Sequence, residues 1–164
     1  ETLAAKLQTQ PDMLEGRVEQ LLQELAAARR SISQYHRETA QRQAAALAQD
    51  AQDISGVPVV ATAVHVPDEK VLREMGDMVR TRLNRPGVVV LASSYDERVG
   101  IQVSVDPALT KRGLHAGKIA GIVGERLGGK GGGRPDSAQG GGKNKAELGS
   151  ALDLVARYVR ENIK

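Results

Sequence analysis

The sequence predicts an α/β fold of the α+β kind. A long N-terminal helical, coiled-coil-like arm precedes a small globular domain in which helices pack on a mixed β-sheet. Three observations lead there. Apolar side chains recur at alternating four- and three-residue steps from Leu14 to Tyr35, β-branched runs alternate with amphipathic stretches after Ser55, and 164 residues suffice for one modest core plus an appendage.

In the arm, Pro11 can open a helix, and Leu14, Val18, Leu21, Leu25, Ala28, Ile32 and Tyr35 form a heptad seam. Ala and Gln dominate as far as Gln52 with no Gly or Pro after Gly16, so one helix of about 40 residues and roughly 60 Å is expected. Such a helix cannot bury its stripe alone. A second helix, another subunit or chain upstream of Glu1 has to cover it. The composition changes at Ser55-Gly56, which gives domains of 1–55 and 56–164.

Val57 to Val64 is β-branched and reads as a strand, and Pro67-Asp68 opens a helix with Val71, Leu72, Met75, Met78, Val79 and Leu83 on its apolar face. Gly87 to Ala92 is a buried strand. Val99 to Val105 is a second, reached through a hairpin turn at Tyr95 to Arg98. A helix from about Leu114 to Leu127 is followed by a glycine-rich loop. The last helix starts at Ala146 and turns Leu148, Leu152, Val155, Val159 and Ile163 inward.

Composition removes several kinds of chemistry. There is no Cys, so disulfides, thiolate metal sites and cysteine nucleophiles are excluded, and the three His stand apart without metal-ligand spacing. His36 falls in the arm, His65 at a strand end and His115 beside glycines. With three Tyr, no Phe and no Trp, base-stacking platforms are scarce. Ser93-Ser94 lacks a nucleophile elbow, and no paired acids stand out. No secretory or membrane-spanning pattern is present, and the chain starts without Met; a cytoplasmic fragment of a longer protein is the expectation, with no membrane partner.

Charge is uneven. The chain carries +3 overall, yet Lys111 to Lys145 holds eight basic residues against two acidic ones. Within that stretch Gly128 to Lys145 reads GGKGGGRPDSAQGGGKNK, with eight Gly in its first fifteen positions. Two readings are open. Glycines without Cβ can bring main-chain N–H groups close to an anion while Lys130, Arg134, Lys143 and Lys145 supply charge, which makes a phosphate cradle. Alternatively the stretch is a mobile surface loop with incidental lysines. Gly124 to Lys130 spells GxxxxGK, but Gly131 replaces the Ser or Thr that a nucleotide-binding P-loop needs, and a helix precedes it instead of a strand. Gly113, Gly117 and Gly121 recur every four residues, which is costly in a helix and points to tight packing.

The segment Gly128 to Gly142, GGKGGGRPDSAQGGG, closely resembles the C-terminal motif of bacterial alanyl-tRNA synthetases. The helix before Gly56, the run from Val57 to Ala92, VGIQVSV, HAGKIAGIVGERLGG and the terminal helix resemble that family's C-terminal domain in the same order. The resemblance implies a fragment without the aminoacylation and editing domains, with no cofactor of its own, whereas the parent enzyme uses ATP and zinc. The globular half is also similar to the substrate-binding domain of DHH-type phosphodiesterases, where a related loop holds a nucleic-acid phosphate. Arg134 stands where those nucleases tend to carry His, and no DHH motif is present; both speak against hydrolysis.

The function so implied is a non-catalytic tRNA-binding module that grips the outer corner of alanine-acceptor tRNA and links aminoacylation with editing. DNA binding and homodimerisation are further expectations of backbone recognition and of the apolar seam. The candidate contact residues are Lys130, Gly131, Gly132, Gly133, Arg134, Pro135, Asp136, Gln139, Gly141, Lys143 and Lys145, with Lys111, Arg112 and Lys118 as secondary basic candidates. An oligomerisation module, or a nucleic-acid-binding appendage of a DHH-type phosphodiesterase, is the alternative.

Overall fold

The structure, a computed structural model, describes residues 3–164 and divides into two compact units, one up to Ala40 and one from Gln41 to Lys164. In the first, a short helix α1 (Leu3–Lys6) and a 3₁₀ turn (Pro11–Met13) precede the long helix α2 (Leu14–Gln49), whose last turns fall in the second unit. Arg17 Nε donates to the Leu7 carbonyl at 3.4 Å, tying the opening segment to the first turn of α2. The heptad residues Val18, Leu25, Ile32 and Tyr35 are exposed, as is Leu22 beside them. Within the described chain these side chains stay uncovered.

The second unit is a six-stranded mixed sheet in the order β1-β2-β3-β4-β6-β5. Its strands are β1 (Gln52–Ile54), β2 (Val57–Ala63), β3 (Val88–Tyr95), β4 (Arg98–Val105), β5 (Lys130–Gly133) and β6 (Ser137–Gly142). Only β2 and β3 are parallel, joined through helix α3 (Glu69–Arg82); every other pair is antiparallel. A short helix α4 (Pro107–Thr110), then α5 (Ala116–Arg126) and α6 (Leu148–Asn162) complete the unit.

Alternation along the central strands builds two cores. Val88, Val90 and Ala92 of β3 join Ile101 and Val103 of β4 under α5 and α6, where Ile119, Val123, Leu152, Val155 and Val159 are buried. Val89 and Leu91 face the other way, toward Leu72, Met75 and Val79 of α3 and Ala44 of α2. Helix α3 starts where its sequence says, since the Asp68 carboxylate accepts from Val71 N at 2.9 Å.

Two elements depart from the sequence expectation. Ser55-Gly56 is not a linker but a two-residue hairpin turn. Both residues have positive φ (54° and 82°), Ile54 pairs with Val57, and β1 so becomes an edge strand of the sheet. The glycine-rich stretch is likewise no loop. It forms the antiparallel pair β5–β6, with β6 inserted between β4 and β5. Gly113 lies ahead of α5 with φ of 102°, outside the helix in which its four-residue spacing placed it.

Gly131 of β5 and Gly124 of α5 are there because the two elements touch through their backbones. A Cβ on Gly131 would sit 2.0 Å from the Ala120 carbonyl oxygen, and one on Gly124 would sit 2.6 Å from the backbone of Lys130. Gly132, by contrast, has nothing within 4 Å. Gly131→Ala is accordingly expected to lower stability by about 1–3 kcal/mol through overpacking, while Gly132→Ala changes it by less than about 0.5 kcal/mol. Urea unfolding of the two variants reads the difference, and equal effects would refute the packing account.

Candidate nucleic-acid interface

The turn Arg134-Pro135-Asp136 at the tip of the β5–β6 pair is fixed by its own backbone. Val105 N donates to the Asp136 carbonyl at 2.9 Å, and Ala116 N, at the start of α5, donates to the Pro135 carbonyl at 2.8 Å. The tip is thus clamped between β4 and α5, while the Arg134 side chain remains 78% exposed and lies 3.4 Å from Asp136 Oδ1.

Beside this tip lies a groove of about 450 Å³ lined by Gly132, Gly133, Arg134, Asp136, Ser137 and Gln139 from the hairpin, Ser104 from β4, and Arg73, Asp77 and Arg80 from α3. Three guanidinium groups from two separate elements therefore surround one groove. Two carboxylates accompany them: Arg80 Nη2 is 3.8 Å from Asp77 Oδ1, and Arg134 is paired with Asp136.

Arg73 is held differently. The Gln139 amide, with its oxygen turned to the guanidinium, which can only donate, accepts from Arg73 Nε and Nη2, both at 3.2 Å. In that orientation the Gln139 oxygen also faces the Gln102 amide at 3.1 Å, which has to turn its nitrogen there to donate, and Gln102 in turn lies 3.4 Å from Ser137 Oγ. Gln102 is only 2% exposed and sits beneath Gly76 of α3, where a Cβ would come within 3.3 Å of it. A neutral amide relay thus carries Arg73 across from α3 to β6 and leaves its charge uncompensated by any carboxylate in that relay.

The residues expected to form one cradle divide into groups. Gly132, Gly133, Arg134, Asp136 and Gln139 line the groove, with Pro135 in the turn that carries them. Gly131 is packed against Ala120, and Gly141 lies inside the sheet, paired with Gly100 on one side and Lys130 on the other. Since β6 is flanked by strands on both sides, its main-chain N–H groups are engaged in ladders and do not open to an anion. For Gly131 close helix-on-strand packing supplies a reason other than a bare peptide nitrogen facing a phosphate.

Lys130 is at the opposite end of β5, three residues or about 10 Å of strand from Gly133. Lys143 follows the far end of β6, and Lys145 Nζ donates to the Asp96 carbonyl on the β3–β4 turn. Lys111 and Lys118 are exposed and Arg112 Nε donates to the Lys164 carbonyl at 2.8 Å; none of these three lines the groove. Arg73 and Arg80 escape a reading centred on the glycine motif. Their spacing with Asp77 at i, i+4 and i+7 nevertheless puts all three along one side of α3, next to its apolar stripe.

The remaining candidates serve the fold. Ser93 is fully buried, and its Oγ accepts from Val66 N at 3.3 Å. Tyr95 lays its ring on Gly100, and burial pushes its phenol above the ordinary value. Gly124 lies inside α5 and Lys130 opens a strand, so the GxxxxGK spelling does not form a P-loop. Among the described residues no group of three or more His, Cys, Asp or Glu is arranged to hold a metal ion, and no helix is long and apolar enough to cross a membrane.

A family model described as the DHHA1 domain matches residues 56–161. The chain belongs to the DHHA1 domain family. Similar proteins include the alanine–tRNA ligases of Geobacillus kaustophilus, 39% identical over 96% of this chain, and of Exiguobacterium sibiricum, 38% identical over 98% of it. In each case the chain spans 18% of the relative's length. Among solved structures, the C-Ala domain of Aquifex aeolicus alanyl-tRNA synthetase matches this DHHA1 chain with a TM-score of 0.61 and 26% identity, over 67% of this chain and 97% of that one. A ribosomal-protein S1p-family member with a DHH domain shares the fold at a TM-score of 0.50 and 13% identity, over 93% of this chain and 35% of that one. The resemblance to the C-terminal domain of alanyl-tRNA synthetase, and to the domain associated with DHH proteins, is borne out.

Proposed function

We propose that this chain is a non-catalytic tRNA-binding and tethering module of an alanyl-tRNA synthetase. The observation that carries the proposal is the convergence of Arg73, Arg80 and Arg134 on one groove at the tip of the family's glycine motif. Guanidinium groups suit phosphate oxygens, since each presents a planar fork of donors and stays charged. A groove of this size accommodates a stretch of sugar-phosphate backbone and not a whole duplex. Recognition then rests on phosphate position and shape, in keeping with a chain almost without aromatic residues.

The wider role follows from the relatives. In this reading the chain grips the outer corner of the L-shaped alanine-acceptor tRNA and keeps one tRNA engaged as it passes between aminoacylation and editing, a role that the likeness to alanine–tRNA ligases supports. DNA with a suitably presented backbone is a second substrate class for the same contacts.

A tRNA transcript titrated against the chain at rising salt tests this reading. Binding is expected to weaken steeply, and Arg73→Gln with Arg134→Gln to reduce affinity at least tenfold and the slope of log K against log salt by about two. A flat salt response, or unchanged affinity in the double variant, would move the interface elsewhere.

A second role is supported by the exposed apolar residues Val18, Leu22, Leu25, Ile32 and Tyr35 of α2: association with a second copy. Sedimentation velocity is expected to show a coefficient that rises with concentration in the parent chain and stays constant in Leu25→Asp with Ile32→Asp. A parent chain that is monomeric throughout would rule the second role out.

A further inference from the structure

The groove contains a feature that phosphate binding alone does not explain. Beside Arg134 stands Asp136, an acceptor-only group 3.4 Å from the guanidinium and not a chance neighbour on a loose loop. Its backbone is clamped by Val105, and its carboxylate makes no ion pair or hydrogen bond other than that to Arg134 among the described residues. A phosphate arriving at Arg134 places two anions side by side. That arrangement is unfavourable unless the ligand also brings a donor to the carboxylate.

In RNA the donor nearest the phosphodiester is the ribose 2′-hydroxyl, which DNA lacks. The guanidinium of Arg134 and the carboxylate of Asp136, 3.4 Å apart, offer one group that only donates beside one that accepts, as a phosphate and its neighbouring hydroxyl require. Arg73 strengthens the phosphate half, because a neutral amide and no acid holds it toward the hairpin. Asp77 is less suited to the ribose half, being an i, i+3 partner 3.8 Å from Arg80 on its own helix.

We propose that Asp136 is the specificity-determining residue of the groove, accepting a hydrogen bond from a ribose 2′-hydroxyl while Arg134 and Arg73 hold the adjoining phosphate, so that the site favours RNA over DNA. This rests on the reading that the groove meets nucleic-acid phosphate. Asp136 pays for selectivity in phosphate affinity, since the same carboxylate repels any backbone that offers it no hydroxyl.

The experiment compares the full chain with Asp136→Ala, which removes the acceptor that asparagine would keep, and with Arg73→Gln. Ligands are a tRNA transcript and two versions of it carrying 2′-fluoro at all pyrimidines or at all purines, which keep A-form geometry and lose the donor. The parent chain is expected to bind at least one fluorinated transcript about fivefold to tenfold more weakly than the unmodified one, and Asp136→Ala to bind all three within about twofold. Arg73→Gln should weaken all three by a similar factor. Thermal unfolding checks that Asp136→Ala retains the fold, as expected for a side chain outside the backbone bonds of the turn. Asp136→Ala that keeps the parent's discrimination, or a parent chain that shows none, overturns the proposal while leaving the phosphate groove standing. If Arg73→Gln changes nothing, the groove reading fails, and this proposal with it.

Discussion

The backbone of helix α5 rests directly on the backbone of β5, and the site depends on that contact. Where Gly131 meets the Ala120 carbonyl and Gly124 meets Lys130, there is no room for a methyl group on either side. Removing the side chains from both surfaces lets a helix press onto the face of the strand at backbone distance. Two consequences follow. The hairpin tip is held by α5 at Pro135 and by β4 at Asp136, and Arg134 is thereby presented toward α3 from a fixed backbone.

Charge density along the sequence is a poor guide to where charge meets in space. The strongly basic stretch from Lys111 to Lys145 is spread over α4, α5, both strands of the hairpin and the approach to α6, and several of its members are occupied: Arg112 with the Lys164 carbonyl, Lys145 with the Asp96 carbonyl, and Arg126 with Glu147 at 2.7 Å. Ser150 and then Arg126 hold the Glu147 carboxyl below its ordinary value. The groove instead recruits Arg73 and Arg80 from a helix nearly sixty residues earlier in the chain, and this mixture of signs favours a defined register of contacts over a uniformly positive track.

Most of the fold was legible in the sequence because its signals are local. Asp68 as a helix cap, the alternation in β3 and β4, the polar turn at Tyr95 to Arg98 and the apolar face of α6 all depend on a few neighbouring residues. The pair β5–β6 was not legible. Glycine has low strand propensity, and what makes these residues strands is the matching surface of α5, a tertiary contact. Ser55-Gly56 carried a hairpin signal that a change of composition obscured. Arg134 was evident from its motif, whereas Arg73 is tied to the hairpin only through Gln139, and pairings between distant elements have no signature in one sequence.

The central claim is that Arg73, Arg80 and Arg134 share one ligand. Side-chain Nε–Hε NMR signals of the arginines, followed as tRNA is added in substoichiometric steps, test it most directly. The account predicts that the resonances of these three shift or broaden together, while those of Arg112 and Arg126, already engaged within the fold, stay in place. Perturbation confined to Arg112, Arg126 and the arginines of α2, with the groove signals unmoved, would contradict it.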